Sequence, residues 1–232
     1  MFNYQDFGLK EGNLYEIIAT TYSITKKGKE IKPNASCMGI RMIEGEQIQI
    51  SPFYNTITYK NLKEYSTIAI NFIDDVYLYA LAALKEPDSP INLTDFPLKY
   101  YDFKHLESRA MDVPYIKKAW GILICEVSHE FQKTKNDDLG EVIVPVFKLD
   151  VIFTEKLQET HKLFNRAENL ALETIILATR LKVAGKNQNQ PLFSEIYKKI
   201  NDYKENIKRF GKNEQALQTI DLVSRYINNL IL

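Results

Sequence analysis

The chain has 232 residues, 45% of them hydrophobic and 26% charged, a balance that supports a buried core and argues against intrinsic disorder. Thirty Lys and Arg oppose thirty Asp and Glu, so no whole-molecule field is available to hold a polyanion, and nucleic-acid binding as the main task is set aside. No apolar run approaches the roughly 20 residues that span a bilayer, and the start MFNYQDFGLKEGN lacks the basic-then-apolar layout of a signal peptide, so the expectation is a cytoplasmic protein with no membrane partner.

In chain order, LYEIIATTY from Leu14, ASCMGIRMI from Ala35, EQIQI from Glu46 and TIAINFI from Thr67 are rich in β-branched and aromatic residues and read as strands. Behind Asp74, the residues Val76, Tyr77, Ala80, Leu81 and Leu84 recur at helical spacing. A polar, proline-punctuated stretch follows from about residue 86 to 114. Two longer strands come after it, IKKAWGILICEV and VIVPVFKLDVIF. Many short strands with a late return predict a closed or nearly closed barrel, interrupted by one helix.

Seven of the eight prolines and seven of the nine glycines lie at or before residue 150. The remainder reads as three helices, from about Leu157 to Val183, from about Pro191 to Phe210, and from about Glu214 onward, forming a small antiparallel bundle. The expected class is therefore α+β, with a barrel domain over 1–153 and a helical domain over 154–232. Residues 1–152 carry 17 basic and 21 acidic side chains and the rest carry 13 and 9, so the two halves are of opposite charge.

Three segments hold candidate site residues. PNASCMGIR places the small side chains Ala35, Ser36, Cys37 and Gly39 around Met38 after Asn34, which lets a flat ligand approach the backbone, or lets a neighbouring strand pack closely. SPFYNTITYKNLKEY offers Thr56, Thr58, Lys60 and Asn61 at a helix start, the makings of a phosphate cradle, although a threonine before a helix also serves as a plain cap. AINFIDDV ends a strand in Asn71 and continues into Asp74 and Asp75, which suit a helix cap better than a shared-proton pair. Cys37, Cys125, His105, His129 and His161 show no metal or nucleophile spacing, so neither a metal site nor a catalytic side chain is assigned. Arg166, Glu173 and Arg180 share one helix stripe, as an ion-pair ladder would.

Taken together and in order, PNASCMGI, PFYNTITYKNL and AINFIDDV resemble the FMN-binding split-barrel proteins of the flavin-reductase-like class. The resemblance is nearest to an archaeal branch named as a domain of unknown function, and it extends into NRAENLALETIILATRL. It implies FMN as the cofactor, with the phosphate at Thr56, Thr58, Lys60 and Asn61 and the ring beside Ser36, Cys37, Met38 and the end of the Asn71 strand. It further implies a homodimer and a flavin-dependent oxidoreductase, with a non-catalytic flavin carrier as the alternative. There is no GxGxxG fingerprint, so a nicotinamide donor would have to stack over the flavin.

Overall fold

The computed structural model describes residues 3–25, 30–44, 46–89, 91–137, 140–159, 165–209 and 213–231. These form two compact units, Met1–Asp74 with Pro97–Thr160, and Asp75–Phe96 with His161–Leu232. The segment 75–96, which a boundary at residue 153 leaves on the barrel side, groups with the C-terminal helices.

The first unit contains β1 (Leu14–Ile24), β2 (Ile31–Ile43), β3 (Gln47–Ile50), α1 (Ile57–Tyr65), β4 (Thr67–Phe72), β5 (Tyr101–Leu106), β6 (Met111–Ile116), β7 (Gly121–Asp137) and β8 (Gly140–Lys156). Six of these strands close an antiparallel barrel in the order β1, β2, β3, β8, β7, β4. The long hairpins β1–β2 and β7–β8 are joined by short seams, for β3 pairs β2 only through Arg41, Met42 and Ile43, and pairs β8 only through Ile48, Gln49 and Ile50. Inward side chains, among them Ile17, Ala19, Ile40, Met42, Ile68, Ile70, Leu123, Phe147 and Leu149, fill the interior as one buried cluster. Phe7, from the N-terminal turn, stacks on Trp120 and meets Phe72 at a tilt against this core.

All six residues of β4 are buried. Its inner face meets the barrel core, and the outer face, through Ala69, is covered by Leu106 and Val113 of the β5–β6 ribbon. Burial on both faces explains why this strand reads as a continuous apolar run. The ribbon itself was hidden in the stretch 86–114, because its exposed face is polar and Pro114 interrupts the pattern. Proline is tolerated there since the ribbon has only two strands and each therefore has an open edge.

The second unit contains α2 (Val76–Ala83), α3 (Arg166–Lys186), α4 (Gln190–Arg209) and α5 (Glu214–Ile231). α3 packs on α4 and α5, and α2 packs on α3 and α5, with Val76, Ala167, Ala171, Ile207, Ala216 and Ile220 forming a common core. β8 runs on to Lys156 and α3 begins at Arg166, capped by Asn165, which accepts from the backbone of Ala167 at 3.0 Å. The expected start of that helix at Leu157 thus falls on strand end and loop, and its stretch 160–164 lies outside the described residues, as do His161 and Phe210. Glu86 anchors the loop after α2: its carboxylate meets the Lys182 ammonium of α3 and accepts from the Tyr226 hydroxyl of α5 at 3.2 Å. Asp75 caps α2 by accepting from Tyr77 N–H at 3.1 Å, the capping role anticipated for the Asp pair. No described helix is long and apolar enough to cross a membrane.

Candidate functional site

Successive side chains of a strand point to opposite faces, and this divides the candidate residues of β2 into two groups. Ile40 and Met42 lie in the barrel core, so Asn34, Ser36 and Met38 face the same way. Their partners across the ladder are Thr21, Ala19 and Ile17 of β1. Ala35 and Cys37 face outward, on the side of Thr20, Ile18 and, through β4, Asn71.

The part of the outer group around Asn71 and Thr20 is closed. Asn71 is 0% exposed; its amide nitrogen donates toward Ile18 O at 2.8 Å, Thr20 Oγ1 at 3.1 Å and Ala69 O at 3.2 Å. Its Oδ1 accepts from Ile116 N–H at 2.7 Å, and the Thr20 hydroxyl donates to Pro114 O at 2.5 Å. Asn71 is therefore a clamp between β4, β1 and β6, a side chain without exposure and with every hydrogen engaged. Gly39 is no open approach either, since a Cβ there would meet Leu14 Cδ1 at 2.7 Å, so its smallness accommodates a β1 side chain.

The inner group is different. At the end of the barrel, α1 lays Thr58, Asn61 and Leu62 inward, with Leu62 in the core and the other two in a polar cluster with Thr21, Asn34 and Ser36. Thr58 donates to Ser36 Oγ at 2.9 Å, and Asn34 Nδ2 lies 3.2 Å from Thr58 Oγ1 and 3.4 Å from both Ser36 Oγ and Thr21 Oγ1. Asn61 Nδ2 donates to Thr21 Oγ1 at 3.0 Å. Thr21, Asn34, Thr58 and Asn61 are buried and Ser36 is half-buried. The segments quoted separately in the sequence thus meet, with the β2 serine and the α1 threonine in direct contact.

A count of hydrogens shows what this cluster can do. Two amides bring two N–H hydrogens each and three hydroxyls bring one each. The contacts above consume both from Asn34, one from Asn61 and the one on Thr58. The second Asn61 N–H and the Thr21 and Ser36 hydroxyl hydrogens have no acceptor among the described residues. A buried, uncharged cluster with surplus donors is suited to an acceptor-rich anion such as a phosphate.

Thr56 is the N-cap of α1, accepting from Tyr59 N–H at 3.2 Å and donating to Phe53 O at 2.7 Å, so its hydroxyl serves the helix start. Lys60 is exposed on the same helix. On another side of α1, Tyr59 donates to Glu130 at 3.2 Å and Lys63 pairs with the same carboxylate at 2.6 Å. The hydrogen bond to Glu130 raises the Lys63 ammonium above its ordinary pKa, while burial, then Glu130, raises the Tyr59 phenol. This contact ties α1 to β7 and holds the cluster's lid in place.

Beside the cluster runs a strand edge. Pro33 has no N–H and sits opposite Tyr22, so it occupies a position whose backbone turns away from β1. By alternation Ala35 and Gly39 also turn their amides that way, toward β3, whose ladder with β2 stops at Arg41. A planar heterocycle set against this edge would meet backbone donors and acceptors. Thr21, which sequence patterns did not single out, carried one usable signal: of two consecutive threonines in an apolar strand, one must face inward.

Fold and cluster together define an α+β barrel protein with a donor-rich polar cluster between β2 and α1. Residues 15–151 match the family described as "Protein of unknown function (DUF447) N-terminal domain", and the chain belongs to that family. It is similar to the crystal structure of an FMN-bound protein from Methanosarcina mazei carrying the same family label, at 21% identity and a TM-score of 0.70, over 98% of this chain and 100% of that one. It is also similar to the styrene monooxygenase flavin reductase of Pseudomonas putida S12 (13% identity, TM-score 0.43, 67% of this chain and 89% of that one). A third likeness is to a flavoredoxin from Methanosarcina acetivorans (13%, 0.45, 65% and 72%). No curated protein matches the chain.

Proposed function

We propose that the barrel binds FMN, with the phosphate taken by Asn34, Ser36, Thr58 and Asn61, Thr56 and Lys60 at the rim, and the ring along the β2 edge at Ala35, Cys37 and Met38. The observation that carries this reading is the surplus of donors in an uncharged buried cluster beside a strand edge that the β3 ladder does not reach. The FMN-bound relative from Methanosarcina mazei supports it. The function that follows is an FMN-dependent oxidoreductase of flavin-reductase-like type, drawing on a reduced nicotinamide or another reduced carrier in the cytoplasm.

When bound, the flavin would supply the redox chemistry. The polypeptide's part is to fix the tail, to present the Ala35 and Gly39 amides to ring carbonyls and nitrogens, and to keep water from the buried end. The cluster contains no ionisable side chain, so no proton-transferring residue is assigned. A homodimer fits the exposed Phe53, Tyr54 and Ile57 beside the site. The C-terminal helices α3, α4 and α5 are read as an antiparallel bundle.

The test is a titration of purified protein with FMN, followed by anaerobic mixing with NADH, NADPH or reduced deazaflavin. Stoichiometric binding and bleaching of the flavin absorbance are expected. Binding without bleaching by any donor would favour the carrier reading, and no binding would overturn the proposal.

A further inference from the structure

Building on that tail-site reading, we propose that Thr21 is its specificity-determining positioning residue, one that selects a ligand ending in a phosphate monoester over the same ligand without it. Thr21 is 1% exposed, and its Oγ1 accepts from Asn61 Nδ2 at 3.0 Å and from Asn34 Nδ2 at 3.4 Å. A hydroxyl oxygen has two lone pairs, so these two contacts fill it. Both amides are thereby held with nitrogen toward Thr21. A phosphate entering between β2 and α1 then meets the second N–H of Asn61 rather than its carbonyl oxygen.

Without that acceptor, the Asn61 amide can rotate by half a turn and set its oxygen against the anion. Hydrogen-bonded recognition sites discriminate strongly for this reason, since a buried polar group facing the wrong partner is left unpaired. The grip is also uncharged. The nearest cation on the helix, Lys60, is exposed, whereas the donors are buried, so mobile ions have little to screen. The selected class is a flavin mononucleotide over riboflavin.

The experiment compares FMN and riboflavin affinities of the full chain by flavin fluorescence at low and high salt. The expected result is that FMN binds at least about tenfold tighter, with a ratio that changes less than about threefold between roughly 0.05 and 0.5 M salt. Thr21→Val, which keeps the shape and removes the acceptor, lowers the ratio about tenfold while riboflavin affinity holds. Thr21→Ser keeps it. A wild-type ratio in Thr21→Val overturns the role of Thr21 and leaves FMN binding standing, as does an equal loss of both affinities. Wild-type protein that binds neither flavin overturns both readings. Should Thr21→Val fail to fold, Thr21→Ala decides the matter: it too removes the acceptor, so the preference for FMN should fall about tenfold, and a retained preference overturns the proposal.

Discussion

The outer and inner faces of β1 carry two polar clusters that differ in how their hydrogens are used. Around Thr20 and Asn71 every donor has an acceptor in β4, β1 or β6. Around Thr21 three hydrogens are left without an acceptor among the described residues. Neighbouring threonines of one strand thus serve opposite ends: the saturated cluster makes the wall, and the unsaturated one leaves a place for something else. Burial alone does not distinguish them, since both are buried. The count of satisfied groups does.

The sharpest way to break this comparison is Asn71→Ala. It strands Ile116 N–H and the carbonyls of Ile18 and Ala69, and should lower stability by about 3 kcal/mol. Urea unfolding measures that loss, and FMN affinity of the folded protein should stay within about twofold. If affinity fell with stability unchanged, the wall and the site would have been assigned the wrong way round.

The second unit has its own saturated cluster, so Glu86→Ala should cost on the order of 2 kcal/mol by leaving Lys182 and Tyr226 without their shared partner. Its pH dependence has a definite sign. Burial, then Glu86, holds the Tyr226 phenol above its ordinary range, so folding favours the protonated form. The stability it contributes is intact below the unfolded pKa of about 10 and is lost as pH rises beyond it. Tyr226→Phe should flatten that alkaline slope in thermal melts.

Smaller effects belong to the unsaturated cluster. Thr58→Val removes the hydroxyl that bridges α1 to Ser36, and should weaken FMN about tenfold, near 1.4 kcal/mol, with a stability change under about 1 kcal/mol. Lys60→Ala should move affinity by no more than about twofold, because an exposed ammonium is screened. A large loss at Lys60 with none at Thr58 would mean that charge rather than geometry holds the tail.

The barrel was readable because its strands are rich in β-branched and aromatic residues, and α1 because Thr56 stands before helix-compatible residues. The β5–β6 ribbon was not, since it covers one side of the barrel only and its period-two signal is broken by Pro114. The site was half legible. Motif order brought the β2 and α1 segments together, and their contact is the 2.9 Å bond between Thr58 and Ser36. A strand-end asparagine looks alike in sequence whether it faces a ligand or a neighbouring strand, and Asn71 bonds to β1, β4 and β6. Thr21 escaped notice because its role exists only through register, Thr21 opposite Asn34, which no local pattern displays.

β3 is four residues long and joins each neighbouring strand through three residue pairs. It can therefore detach by breaking far fewer ladder bonds than either long hairpin would require. Amide exchange should begin there, at Ile48 and Ile50, well before the β7–β8 hairpin gives way. Such breathing would unzip the barrel along that seam without melting the long hairpins.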